Sequence, residues 1–211
     1  MKIGIVFAGQ GAQYSGMGKD LYETYPEAKT IFDMAGDQVK AWCFEGDEET
    51  LKQTHVTQPT IYTTTMAAYE AFMAEIKKQA MTDDLEVVAL AGFSLGEYSA
   101  LTAAGAIDEI SKGIDIVSKR GVLMQQAGLD EEGNAKGGMA AGIGDRKAIL
   151  EAVEDAREDG ILEGVNFNSP VQTVVAGDKA ALKRFRRAAK AKGVKAIPLG
   201  CFCFVPRRCC P

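Results

Sequence analysis

The 211 residues are 46% hydrophobic, 25% charged and 8% aromatic, an ordinary globular composition with enough apolar side chain to fill a sizeable core. That excludes global disorder and a short disulfide-stapled scaffold, and no apolar run approaches the roughly 18 residues a membrane span needs. The formal charge is −5 but uneven: Lys183 to Lys195 carries seven basic residues and no acid, Arg207 and Arg208 add two, and residues 1–182 hold −14, which argues against nucleic acid as the main partner.

The chain opens MKIGIVFAGQGAQ, with no basic stretch leading to a cleavage site, so no signal peptide and a cytoplasmic location are expected. Ile3 to Phe7 reads as a buried strand entering a tight loop at Gly9-Gln10-Gly11. A helical stretch is expected over Gly18 to Met34. Thr57-Gln58-Pro59 reads as the start of a helix running to about Gln79, with Thr57 as N-cap and proline in the first turn. Leu85 to Ala91 is a second strand, too continuously apolar to be half-exposed. Directly after it, Gly92-Phe93-Ser94-Leu95-Gly96 leads into a small-residue helix, and a further helix is expected from Asp108 to about Ala127.

From Gly128 the pattern changes. A strand over Gly137 to Gly144, a helix over Asp145 to Asp159, a hairpin over Val165 to Gly177, a helix over Asp178 to Lys192 and a strand over Val194 to Leu199 follow in β-α-β-β-α-β order, that of a ferredoxin-like unit. The expected architecture is therefore α/β, with an incomplete large subdomain at 1–127, a ferredoxin-like subdomain at 128–199 and an aberrant tail at 200–211.

Gly-x-Ser-x-Gly between a strand and a helix is the nucleophile-elbow pattern. The serine sits on a turn too crowded for a β-carbon on its flanks, and the following helix aims its N-terminal amides at developing negative charge. The Gly9-Gln10-Gly11 loop lacks the lysine and the Ser/Thr of a phosphate-binding loop and fits an oxyanion-hole loop better.

The segments FAGQGAQYSGMG, TQPTIYTTTMAAYEAF, GFSLGEYSALTAAGA, KRGVLMQ, GGMAAGIG and NFNSPVQTVVAG resemble, in order and over nearly the whole chain, the motifs of the malonyl-CoA:acyl-carrier-protein transacylases. The resemblance implies an α/β-hydrolase-like large subdomain carrying the ferredoxin-like insertion. It implies that Ser94 takes malonyl from a coenzyme A thioester, which is substrate rather than bound cofactor. The acyl group then passes to the phosphopantetheine thiol of acyl carrier protein, in fatty-acid synthesis. Gln10 and Leu95 would lend backbone amides to the oxyanion hole. Arg120 would bind the malonyl carboxylate, a role that suits the planar fork of a guanidinium. Neither a metal, a nucleic acid nor a membrane is expected. A non-catalytic acyl-CoA-binding fragment and a serine esterase are the alternatives; the carboxylate clamp at Arg120 argues against the esterase.

Three departures are local: Phe93 stands where the family usually has histidine, which removes a polar contact near the serine but leaves the elbow geometry open, and Ala8 and Ala12, where it often has proline and serine, are mild changes. The fourth is larger. The family's general base is a histidine in a segment like VSxPFHSPLM, whereas here Leu199 is followed by GCFCFVPRRCCP, and the one histidine of the chain is His55. His55 reads as a surface-loop residue. Codons for the tail, read one nucleotide later, admit AVSASFH, so residues 200–211 are expected to be out of frame, and resequencing through codon 199 tests this. Four of the five cysteines lie in this tail, at spacings that fit no common zinc pattern. The basic run Lys183 to Lys192 offers a surface that could steer an acidic carrier.

Overall fold

The computed structural model describes residues 1–79 and 85–199; the expected aberrant tail lies outside them. The chain is mixed α/β and divides into two compact units, Met1–Val122 and a second that begins at Leu123.

In the first unit, β1 (Lys2–Phe7) and β2 (Glu86–Gly92) pair in parallel with Phe7 opposite Gly92. A parallel pair needs a long crossover. Here it contains α1 (Lys19–Thr24), α2 (Pro26–Ala35), α3 (Asp37–Glu45), α4 (Glu48–Leu51) and α5 (Thr54–Lys78), and α6 (Gly96–Ala103) follows β2. The stretch expected as one helix over Gly18 to Met34 is two. Tyr25 precedes Pro26 and takes extended geometry, φ −115° and ψ 118°, because the proline ring crowds a helical predecessor.

The proline further on behaves differently. α5 begins at Thr54, three residues before the expected cap, and Pro59 lies inside it. Its ring forgoes only the bond its amide would have made to the His55 carbonyl. The preceding turn is held independently: the Val56 and Thr57 amides both donate to the Gln53 carbonyl, and the Thr57 hydroxyl donates to the carbonyls of Leu51 and Gln53. Thr57 is thus a brace within the helix rather than its cap.

The two strands also depart from expectation. Val6 is 78% and Val88 52% exposed, although both runs read as buried. Among the described residues the sheet has only these two strands, so continuous apolar sequence does not by itself bring cover to both faces. The core lies instead among the helices, around Phe32, Leu51, Val56, Tyr62, Met66 and Val117, with Phe32 packed tilted on Phe44 at 5.1 Å between ring centroids.

α7 (Ile110–Ala127) crosses the boundary between the units in sequence. Two glycines bring it close to α5. A β-carbon at Gly113 would meet the Tyr62 hydroxyl, and one at Gly121 would stand 3.0 Å from the His55 Cα and the Thr54 carbonyl. Tyr62 is fully buried and its hydroxyl hydrogen-bonds that of Thr102 at 2.7 Å, so it has little room to yield. Gly113→Ala should gain helix propensity yet lose about 2 kcal/mol net by overpacking. A thermal melt should show the midpoint lowered by roughly 4–8 °C; an unchanged or raised midpoint refutes the close packing.

The second unit is built of β3 (Gly137–Ile143), α8 (Arg146–Arg157), β4 (Leu162–Ser169), β5 (Gln172–Asp178), α9 (Lys179–Ala191) and β6 (Lys195–Leu199). Its sheet is antiparallel, in the order β4-β5-β3-β6. Both helices start where the sequence predicts, each on an aspartate N-cap: Asp145 accepts from the Ala148 amide and Asp178 from that of Ala181. Their apolar stripes close on the sheet through Ile149, Val153, Leu162, Val175 and Phe185, all nearly inaccessible.

Candidate active site

Gly92 ends β2 and Gly96 opens α6, so only three residues turn the chain from strand to helix. At their centre Ser94 has φ +52°, the left-handed region that costs a residue with a β-carbon roughly 1–3 kcal/mol. The turn is closed by the Gly96 amide on the Phe93 carbonyl and the Glu97 amide on the Ser94 carbonyl. The flanking glycines are dictated by backbone on both sides. A β-carbon at Gly92 would lie 2.1 Å from the Gly96 carbonyl, and one at Gly96 would lie 2.2 Å from the Phe7 oxygen.

That second contact joins the elbow to the loop after β1. The Phe93 amide donates to the Phe7 carbonyl at 3.2 Å, and a β-carbon at Gly9 would stand 2.3 Å from the Phe93 oxygen and 2.9 Å from its ring. The Gly9-Gln10-Gly11 loop therefore lies against the Ser94 turn because two glycines, Gly9 and Gly96, remove the atoms that would hold them apart. Phe93, in the place of the expected histidine, is 47% exposed beside the serine. Within the loop the Gly11 amide is taken by Gln13 Oε1 at 2.9 Å. The Gln10 side chain reaches the Thr54 hydroxyl through a long contact of 3.5 Å.

Leu95 is buried at 1% exposure. The amides after it donate within the turn, Gly96 to Phe93 and Tyr98 to Leu95, whereas the Leu95 amide has no protein acceptor among the described residues. It sits at the positive end of α6, where an anionic oxygen is favoured.

Arg120 is half-buried on α7. Its Nη1 donates to Gln58 Oε1 at 2.8 Å, and its guanidinium lies 5.3 Å from the Tyr98 ring centroid, a cation–π distance. Gln58 is fully buried on α5 and Tyr98 sits one turn beyond Ser94 on α6. The arginine is thereby drawn to the helix that follows Ser94, with donors to spare beyond the one given to Gln58. Sequence reasoning named Arg120 but missed both partners. The four-residue step from Ser94 to Tyr98 is a helical neighbour relation and could have flagged the tyrosine; nothing local signals Gln58, 62 residues from Arg120. His55, expected on a surface loop, lies in the first turn of α5, half-buried, with its ring edge-on to Trp42 at 6.1 Å.

A serine held on a strained strand-to-helix turn, with a helix N-terminus beside it and a tethered guanidinium on the neighbouring helix, is an arrangement that can support nucleophilic attack on a carbonyl carbon. Comparison with known sequences gives the lineage: residues 5–198 match the acyl transferase domain family, and the chain belongs to it. Among curated relatives, the malonyl CoA-acyl carrier protein transacylase of Bacillus subtilis strain 168 is 40% identical over 205 residues, 94% of this chain and 61% of the relative. The enzyme of the same name from Escherichia coli K12 is 40% identical over 200 residues, 92% of this chain and 61% of the relative. The chain thus spans about three-fifths of the length of these relatives.

Solved structures agree. The malonyl CoA-acyl carrier protein transacylase from Clostridium perfringens superposes with a TM-score of 0.82 at 36% identity, over 96% of this chain and 62% of that one. A malonyl-transacylase solved in complex with its type II polyketide acyl-carrier protein superposes with a TM-score of 0.82 at 37% identity, over 98% and 64%. No helix among the described residues is long and apolar enough to cross a membrane.

Proposed function

We propose that this chain is the nucleophile-bearing part of a malonyl-CoA:acyl-carrier-protein transacylase of fatty-acid biosynthesis, acting in the cytoplasm. Its finer architecture is an incomplete α/β-hydrolase-like subdomain over 1–127 with a ferredoxin-like subdomain over 128–199. The observation that carries the reading is the Ser94 elbow at φ +52°, packed through glycine against the Gln10 loop and followed by the arginine-bearing helix.

In the proposed chemistry Ser94 Oγ attacks the thioester carbonyl of malonyl-CoA and loses its proton. The carbonyl oxygen becomes an oxyanion held by the Leu95 and Gln10 amides. The carbon–sulfur bond then breaks, coenzyme A leaves as its thiol after taking up a proton, and an acyl-serine ester remains. Attack by the carrier's phosphopantetheine thiol reverses these steps, returning the proton to Ser94. Coenzyme A enters as substrate, and no bound cofactor is required. Arg120, held by Gln58 and Tyr98, receives the malonyl carboxylate in a bidentate pair.

Thioester discrimination tests this. Malonyl-CoA should acylate Ser94 in preference to acetyl-CoA, as read by peptide mass spectrometry. Arg120→Ala should lower malonyl labelling about 10- to 100-fold, the worth of a charge-assisted hydrogen bond, with acetyl labelling little changed. Equal loss for both thioesters refutes the carboxylate role and leaves a structural one. A second reading, an acyl-CoA-binding chain without turnover, is favoured by the lone histidine, His55. Malonyl-CoA binding without any Ser94 label would decide for it.

A further inference from the structure

Gln10 has a glycine on each side of it, and glycine leaves a backbone free unless something outside it takes hold. Gly11 has φ +113° and nothing within 4 Å of where a β-carbon would stand, so no neighbour packs on it there. The contact of the Gln10 side chain with the Thr54 hydroxyl, at 3.5 Å, is at the outer limit of a hydrogen bond. An amide stabilises an oxyanion only when it is already aimed at the place where the charge develops. A loop of this composition therefore needs an external hold on both glycines.

Two side chains supply it, each rooted in fixed backbone. The Phe93 amide donates to the Phe7 carbonyl and its own carbonyl accepts from the Gly96 amide, which sets the ring where a β-carbon on Gly9 would meet it at 2.9 Å. The ring is half-exposed and lies outside the helical core, so its packing against Gly9 is not core filling. On the other side, Gln13 Oε1 accepts from the Gly11 amide at 2.9 Å. Just beyond Gln13 the chain is anchored: the Gly16 amide donates to the Cys43 carbonyl at 3.0 Å, and Met17 is buried. Gln13 thus ties the less restrained glycine to a segment that is held in place.

We propose that Phe93 and Gln13 are positioning residues, gripping the loop at Gly9 and at Gly11 so that the Gln10 amide meets the developing oxyanion. This rests on the transacylase reading and adds which side chains hold one of its two donors. Both act through that amide and not on the acyl group, so every thioester is served alike, whereas Arg120 serves only a carboxylate. The test uses the full chain, with initial rates of Ser94 labelling by malonyl-CoA and by acetyl-CoA read by peptide mass spectrometry. Gln13→Met keeps the length of the side chain and removes its amide oxygen. It should lower the saturated rate about 10- to 100-fold, short of or equal to the loss of a whole oxyanion donor. The half-saturating concentration of malonyl-CoA should stay within about threefold, because the donor acts on the transition state. Phe93→Ala should do the same, and Phe93→Leu, which restores apolar bulk, should return the rate to within about threefold of the parent.

Both thioesters should lose by the same factor, and the pH dependence of labelling should keep its shape, since neither side chain titrates. Neither residue fills a core, so thermal melts should stay within about 4 °C of the parent. Gln38→Met on α3 and Phe72→Ala on α5 remove exposed side chains of the same two types and should label within about twofold of the parent. Labelling by Gln13→Met or Phe93→Ala within twofold of the parent overturns the two-ended grip. So does a loss confined to malonyl-CoA, a loss carried by half-saturation with the maximal rate kept, an equal loss in the controls, or no recovery in Phe93→Leu. A parent that neither thioester labels removes the transacylase reading and the positioning role with it. A labelled parent whose variants keep its rate removes the positioning role alone.

Discussion

Gly96→Ala should eliminate acylation of Ser94 and destabilise the chain by about 3 kcal/mol, the upper part of the usual overpacking range. The new β-carbon would sit 2.2 Å from the Phe7 oxygen and 2.7 Å from that of Ala8. Both neighbours are backbone, so neither can rotate away. Relief requires the β1 loop and the elbow to move apart, separating the Gln10 loop from the Leu95 amide that together would hold the oxyanion. Losing oxyanion donors alone costs about 10²–10³ in rate. Gly105→Ala supplies the comparison: it has φ +76° but open space around the added carbon, so it should cost only about 1 kcal/mol and leave labelling intact. Calorimetry together with timed malonyl labelling separates the two. A Gly96→Ala variant that labels at the parental rate would show that the approach of loop and elbow is not what builds the site.

Much of this arrangement is legible in sequence because its causes are local. Asp145 and Asp178 cap helices whose amphipathic pattern follows at once, and an elbow is recognisable from its Gly-x-Ser-x-Gly pattern between strand and helix, although Gly96 itself is required by the distant Phe7 and Ala8 carbonyls. Where the cause is distant, sequence reading fails. Pro59 reads as a helix start because prolines favour that position; that α5 begins earlier depends on the Leu51 and Gln53 carbonyls accepting the Thr57 hydroxyl. The apolar runs at Val6 and Val88 read as buried, but burial is a property of what lies opposite, and no periodicity reports that. Arg120 could be named from its motif, whereas its tether to Gln58 needs two helices to meet at Gly121. The basic run of α9 reads as one block until the acids of α8 and its C-cap neutralise one flank through Arg184 and Lys192.

The lone histidine leads to the second large effect. Ser94→Ala should abolish malonyl labelling, and His55→Gln should leave it within about twofold, because the His55 ring is engaged edge-on with Trp42 in the first turn of α5. The Ser94 hydroxyl has no hydrogen-bond partner among the described residues, and a serine in that state depends on its small alkoxide fraction, which rises about tenfold per pH unit. Labelling by this chain should therefore climb steadily with pH and show no inflection in the imidazole range near pH 6–7. With the proposed oxyanion donors and substrate binding in place, the rate should stay about 10³–10⁴ above the uncatalysed reaction. The decisive measurement is the initial rate of Ser94 acylation between about pH 6 and 9 for the parent, Ser94→Ala and His55→Gln. A bell or plateau near neutrality that disappears in His55→Gln would make that histidine the base and overturn this account. A plateau that survives the substitution would instead assign the proton to a group other than imidazole, since the chain contains no second histidine.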